Sequence, residues 1–225
     1  MPTFTSKIRK MPKKSFMGIL YFAAGMFLFA AVDTMAKVLT ESLHPLQVAW
    51  SRQLGLFIGI IILLVIKGTV ILKTDHFYLQ VLRGCLAAAS ALMFIFAISV
   101  VPIADAVAVS FVAPFFVTIL GALVLRERVG VRRWTAIVIG FFACLVIIRP
   151  GFSSFEPAVL LVVIAALAYA FRQIVSRILS SSDLTITTVA YTGLTASFLL
   201  SIPLPLVWRT PIGNNEFLLI AALAT

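Results

Sequence analysis

Charge is what this sequence has least of. Of its 225 residues only 12% are charged, where an ordinary soluble domain carries about a quarter. Acidic residues are the scarcest, eight Asp and Glu against eighteen Lys and Arg. Histidine occurs twice (His44, His76) and cysteine twice (Cys85, Cys144). Each shortage closes off a class of chemistry. The two histidines fall in or beside separate loops, and no His/Glu metal spacing, nucleophile beside a base, or phosphate-cradling glycine loop accompanies them. We therefore expect no enzyme activity, no metal site and no cofactor. Both cysteines lie inside apolar runs and read as small hydrophobes rather than a disulfide framework.

What is there instead is apolar surface. Hydrophobic residues make up 62% of the chain, and the mean hydropathy is +1.13. A small globule has too little interior to hide that much, so the solvent has to be lipid. A bilayer core of about 30 Å needs about 20 helical residues per crossing. Runs of that order predict seven transmembrane helices at 16–39, 46–66, 77–99, 103–125, 133–148, 157–178 and 184–208, with a partial eighth starting at Glu216. The runs do not alternate apolar and polar residues, which excludes barrel strands. Breakers separate them: His44-Pro45, Lys67-Gly68, Val101-Pro102, Pro150-Gly151 and Pro211-Ile212-Gly213. The expected fold is an all-α polytopic membrane helix bundle.

The net charge of +10 suggests nucleic acid by its size alone. The positions of the charges give a different reading. Lys7, Arg9, Lys10, Lys13, Lys14, Lys67, Lys73, Arg126, Arg128, Arg132, Arg133, Arg172 and Arg177 fall on one side of the predicted membrane, and only Arg149 and Arg209 on the other. That bias places the N-terminus in the cytoplasm and leaves nothing for nucleic acid to bind. The apolar stretch 16–32 after the basic start is longer than a signal-peptide core and lacks a cleavage site, so it reads as an uncleaved first span.

The segment VDTMAKVLTESLHPLQVAWS (32–51) resembles RQIVSRILSSSDLTITTVAYT (172–192) about 140 residues later. Lys37 meets Arg177, Val38-Leu39 meets Ile178-Leu179, and Ala49-Trp50 meets Ala190-Tyr191 after a one-residue insertion. A period of five helices is odd, so the second unit enters the membrane inverted, as in many secondary carriers. We expect a cytoplasmic basic segment (1–15), a first five-helix repeat (16–149) and a second, incomplete repeat (155–225). A helix stopping at Thr225 covers about 15 Å from Glu216, half the hydrocarbon core.

The stretch ISVVPIADAVAVSFVAPFFVTILGALVLRERVGVRRWTAIVIGFFACLVIIRPG (98–151) resembles the drug/metabolite transporter superfamily, specifically its EamA-type ten-helix members. It carries the short turn before span four, Pro114 within that span, Glu127 after it and Gly140 in span five; Lys37 and Arg52 fit the pattern of spans one and two. Residues 33–52 are also similar to bacterial members described as S-adenosylmethionine or riboflavin carriers. The resemblance implies a carrier of a small-molecule solute, with a central cavity between two rocking halves, in the inner membrane of a bacterium.

Candidate pathway residues follow from the rarity of polar groups in lipid. Asp33 and Lys37 share a helix face and can pair, or face a cavity, or lie near the outer interface with Lys37 reaching for water. Arg52 can bind an anionic solute or lock onto Glu41 or Asp33. Arg83 reads as snorkelling from span three. Asp105 either stabilises the start of span four or, with Asp33, relays protons. Pro114 kinks span four, as a hinge or as a tolerated bend. Tyr169 is the aromatic best placed to face a cavity, with Trp50 and Tyr191 nearer the interfaces. Glu127 joins the surrounding arginines. Gly55 with Gly59, and Gly84 with Ala88, permit close helix packing, internally or in a homodimer. The alternative to a carrier is a non-transporting membrane protein, either a truncated remnant or a helix-packing partner.

Overall fold

The computed structural model describes residues 13–127, 129–148, 157–210 and 214–224. The basic stretch before residue 13, Arg128, Arg149 with its Pro150-Gly151 turn, the Pro211–Gly213 breaker, Thr225 and the boundaries at 149 and 155 lie outside them. The described residues are helical, with no strand among them: α1 (Lys13–Leu39), α2 (Pro45–Lys67), α3 (Phe77–Val100), α4 (Ile103–Ser110), α5 (Ala113–Val124), α6 (Val131–Ile148), α7 (Ala158–Leu179), α8 (Thr185–Ser201), α9 (Leu204–Val207) and α10 (Asn214–Ala224). The break drawn at residue 15 falls inside α1, which runs unbroken from Lys13.

Helix ends follow local chemistry. His44 caps α2, its Nδ1 accepting the Leu46 N–H at 3.2 Å, and Pro45 takes the first turn, where its missing N–H costs nothing. At the far end Gly68 adopts φ 70°, which L side chains resist, and a 3-10 turn (Gly68–Leu72) continues the chain. Span four is two helices. Pro114 clashes with the carbonyl four residues back, at Ser110, and there α4 stops; α5 restarts at Ala113.

Among the described residues, five helical stretches are long and apolar enough to cross a membrane: Met17–Leu39, Pro45–Leu72, Phe77–Val100, Ile103–Val124 and Ala158–Leu179. The other two expected spans are present as helices, the first of them the 18-residue α6, with Arg132 and Arg133 in its first turn. α8 ends after 17 residues, at the turn preceding Pro203, instead of running to Trp208. Side chains such as Phe27 (74% exposed), Val65 (82%) and Phe198 (70%) point outward, which only lipid can accommodate.

The turn after α1 and the turn after α7 share three hydrogen bonds at equivalent positions, including the two that close each turn. Thr40 N–H donates to Ala36 O and Ser180 N–H to Ser176 O, both at 3.0 Å; Leu43 N–H and Asp183 N–H donate to Leu39 O and Leu179 O at 2.8 and 2.9 Å. The next helices start at Pro45 and Thr185. Every equivalence is offset by the same 140 residues, so the turn needs no inserted residue, and Trp50 pairs with Ala190 rather than Tyr191. The two turns lie at opposite ends of the bundle. At the first end Lys37 reaches Ile98 and Val101, and Gln47 reaches Arg209. At the second, Asp183 meets Thr74, and Arg177 meets Glu127. Packing follows the same relation: α3 lies on α7 and α8, α10 lies on α1 and α2, and α2 meets α8 between them.

The main core gathers small and branched side chains, among them Ala36, Ala49, Ala88, Ile95, Ile98, Val162 and Ala196. Alanine and glycine let backbones approach closely, the means by which helices associate where lipid removes most of the hydrophobic drive. A Cβ on Gly84 would stand 2.6 Å from Thr195 Cβ of α8, and one on Gly55 only 1.4 Å from the Ala224 carbonyl oxygen of α10. Ala88 is fully buried. Gly59 has nothing within 4 Å. Of the two glycines in that motif, one is thus filled by the chain's own α10 and one faces open space.

Candidate functional site

Near the first end, Asp33 of α1 is 5% exposed, and its carboxylate accepts Arg52 Nη1 of α2 at 2.9 Å. The Arg52 guanidinium also stacks over Phe29, 4.9 Å from the ring centre. Of the roles open to Arg52, the structure gives it the lock onto Asp33. Lys37 does not join them. Its ammonium turns to the carbonyls of Ile98 and Val101, at the C-terminal end of α3, where a cation meets the negative pole of the helix. Asp105 is half-buried in the first turn of α4.

The second half of the bundle holds a different arrangement. Arg83 of α3 does not snorkel. Its Nε donates to Ser176 Oγ of α7 at 2.7 Å, and its Nη1 donates to Thr192 Oγ1 of α8. Arg172, expected among the loop charges at the end of span six, sits about two turns inside α7. Its guanidinium lies over the Tyr169 ring at 4.8 Å, and its buried Nε has no hydrogen-bond partner among the described residues. Gln173 donates to the Tyr169 hydroxyl at 3.0 Å. Ser176 links the two arginines, its Oγ accepting Arg83 Nε and donating to the Arg172 carbonyl at 2.7 Å, and neither guanidinium forms an ion pair among the described residues.

Beside them a cavity of about 560 Å³ opens between α5, α6 and α7, with Pro114, Thr118, Arg133, Gly140, Tyr169 and Gln173 in its wall. A smaller one of about 240 Å³ shares Val117 and Gln173 with it and reaches Ser176 and Arg177. The proline break carries Phe111 and Pro114 into this wall. Of the five pathway candidates, Pro114 and Tyr169 line the cavity, while Asp33 and Arg52 pair with each other and Lys37 bonds the end of α3.

Toward the second end, Glu127 pairs with Arg177 of α7 rather than with Arg126, Arg132 or Arg133. Both its oxygens accept Arg177 Nη1, at 2.9 and 3.1 Å, which ties the end of α5 to α7. Asp183 accepts Thr74 Oγ1 at 2.5 Å and Gln80 Nε2 at 2.6 Å. The Thr74 hydrogen bond, with help from Gln80, outweighs slight desolvation and holds the Asp183 carboxyl below its ordinary range. Trp50 and Tyr191 serve the helix ends: Trp50 Nε1 donates to Ser201 Oγ at 2.8 Å and the Tyr191 hydroxyl to Leu72 O at 3.0 Å.

Sequence reasoning missed Arg172, Gln173, Gln80 and Asp183. For Arg172 the signal was available: it precedes Leu179 by seven residues, two helical turns into an otherwise apolar segment. For Gln80 and Asp183 it was not, since their meeting depends on the packing of α3 against α7 and α8.

Comparison with known proteins agrees with this architecture. Over 195 residues the chain is 28% identical to the S-adenosylmethionine uptake transporter of Rickettsia prowazekii, covering 86% of this chain and 66% of that one. It is 36% identical over 151 residues to the riboflavin transporter of Vibrio cholerae, covering 66% and 50%. With the pseudopaline exporter CntI of Pseudomonas aeruginosa it shares 25% over 207 residues, covering 92% and 69%. The chain thus spans about two thirds of the length of the S-adenosylmethionine uptake transporters that it matches. No solved structure matches it. Residues 16–149 match the EamA-like transporter family, more than half of the sequence. The chain belongs to that family.

Proposed function

We propose that the protein is a secondary carrier of a small polar or amphipathic metabolite, working by alternating access between two inverted repeats in the inner membrane of a bacterium. The observation that carries this reading is the pair of hairpins, α1–α2 and α7–α8, alike in their turns at a constant offset of 140 residues and pointing to opposite ends. Two equivalent units of opposite direction give a protein two related shapes, one open to each side. The Pro114 break and the cavity beside it supply a bend and a space for the solute between helices. Relatives named for S-adenosylmethionine, riboflavin and pseudopaline fit a solute of metabolite size.

In this reading the N-terminus and the second end, with Lys73, Glu127 and Asp183, face the cytoplasm, following the excess of Lys and Arg there. A reporter active only in the cytoplasm should work when inserted after Lys73 and fail after Val101. For transport, the purified chain in vesicles preloaded with S-adenosylmethionine or riboflavin should take up labelled solute of the same kind above protein-free vesicles. Absence of counterflow for these and for a broad metabolite panel would sink the carrier reading and favour a non-transporting helix-packing protein.

A further inference from the structure

The membrane interior of this chain treats its arginines unequally. Arg52 has its own carboxylate, Asp33, and Arg177 has Glu127. Arg83 and Arg172, close neighbours in the second half, have none among the described residues. A half-buried guanidinium without a carboxylate is costly in lipid, and two side by side are costlier. Hydroxyls, a ring face and a carbonyl moderate this without neutralising it: Ser176 and Thr192 accept from Arg83, and Tyr169 lies under Arg172. The Arg172 Nε–H stays unused. Each touches a cavity wall through one neighbour: Arg172 lies over Tyr169, which lines the larger cavity, and Arg83 donates to Ser176, which lines the smaller. The wall adds Arg133.

From this we infer that Arg83 and Arg172, with Tyr169 and Gln173, form an anion subsite that selects solutes bearing a carboxylate or phosphate group. The inference rests on the carrier reading and narrows its substrate class. Guanidinium groups match the planar, two-pronged geometry of a carboxylate or phosphate, and the free N–H of Arg172 offers one such prong. Arrival of the anion neutralises the excess charge, so the loaded cavity is cheaper to carry across lipid than the empty one. The Tyr169 ring and Gln173 give the rest of the solute a face to stack on and an amide to bond.

The test compares solutes that differ only in the anionic group: methionine with methioninamide, adenosine 5′-monophosphate with adenosine, and riboflavin 5′-phosphate with riboflavin. Thermal stabilisation of the purified full chain in detergent is read for each. In at least one pair the anionic member should bind tenfold or more tightly than its neutral partner. Arg172→Gln should erase that preference, leaving affinity for the neutral member within twofold, and Arg172→Lys should restore part of it. Tyr169→Phe, which keeps the ring, should lower affinity for both members alike. The wild-type comparison needs no variant, so a variant that fails to fold leaves the test intact. Equal or better binding of neutral members overturns the subsite while leaving a carrier of neutral solutes; stabilisation by dihexanoyl phosphatidylglycerol alone overturns it in favour of a lipid headgroup. Binding by no pair, without counterflow of any solute, overturns both readings.

Discussion

Asp33 and Arg52 stabilise each other because neither could stay charged alone in that position. Removing one partner leaves the other buried and unpaired, which costs about 3 kcal/mol. Asp33→Ala should therefore lower the melting temperature of the purified chain by several degrees, and Asp33→Ala/Arg52→Leu should recover part of the loss. Equal losses in the single and double variants would mean that the pair is not coupled. Asp183 acts differently. It is half-buried, and its carboxyl titrates below the ordinary value because Thr74 and Gln80 donate to the ionised form. A carboxyl with a lowered folded-state pKa adds stability that is complete above its unfolded pKa of about 4 and is lost as pH falls through the folded value. Asp183→Asn should thus lower stability near neutrality and flatten its decline below about pH 4, so that the two proteins converge in acid. Melting curves from pH 3 to pH 7 read this directly; an unchanged acid slope would show that the Thr74 contact carries no such linkage. Asp33 and Arg52 were both legible in the sequence, since a charge amid apolar residues is conspicuous. Their pairing was only one alternative among several there, because Asp33 also shares a helix face with Lys37. The carbonyls at the end of α3 that claim Lys37 are backbone groups, which no residue pattern reveals.

At the scale of elements, glycine placement makes a sharp prediction. Gly84 and Gly55 are filled by α8 and α10, whereas Gly59 faces open space. Overpacking a tight contact costs about 1–3 kcal/mol, so Gly84→Leu and Gly55→Leu should destabilise the chain and Gly59→Leu should not. Equal tolerance at all three positions would contradict the packing of α3 on α8 and of α10 on α2. The GxxxG spacing was visible in the sequence, but not the difference between its two members, which depends on the neighbour that arrives. Helix type and rough span positions were legible almost throughout, since long apolar runs leave the backbone little choice in lipid. The ends were less so. Pro203 stops α8 several residues before the apolar run does, and Pro114 divides one run into two helices. Apolarity and helical continuity are separate properties, and proline interrupts the second without changing the first.

For the whole molecule, the account turns on two shapes exchanged around one cavity. The repeat was readable as a faint resemblance 140 residues apart, and the structure supplies what side-chain identity had obscured: matching turns with different residues in them, Thr40 against Ser180 and Leu43 against Asp183. The cavity was less readable, because Arg172 looked like one more loop charge. Alternating access requires that a single position in the cavity wall meet water from either side in turn. With Cys85 and Cys144 replaced by alanine, Tyr169→Cys should react with a membrane-impermeant maleimide in both right-side-out and inside-out vesicles, and a bound solute should slow both reactions. Labelling from one side only, unaffected by any solute, would contradict it.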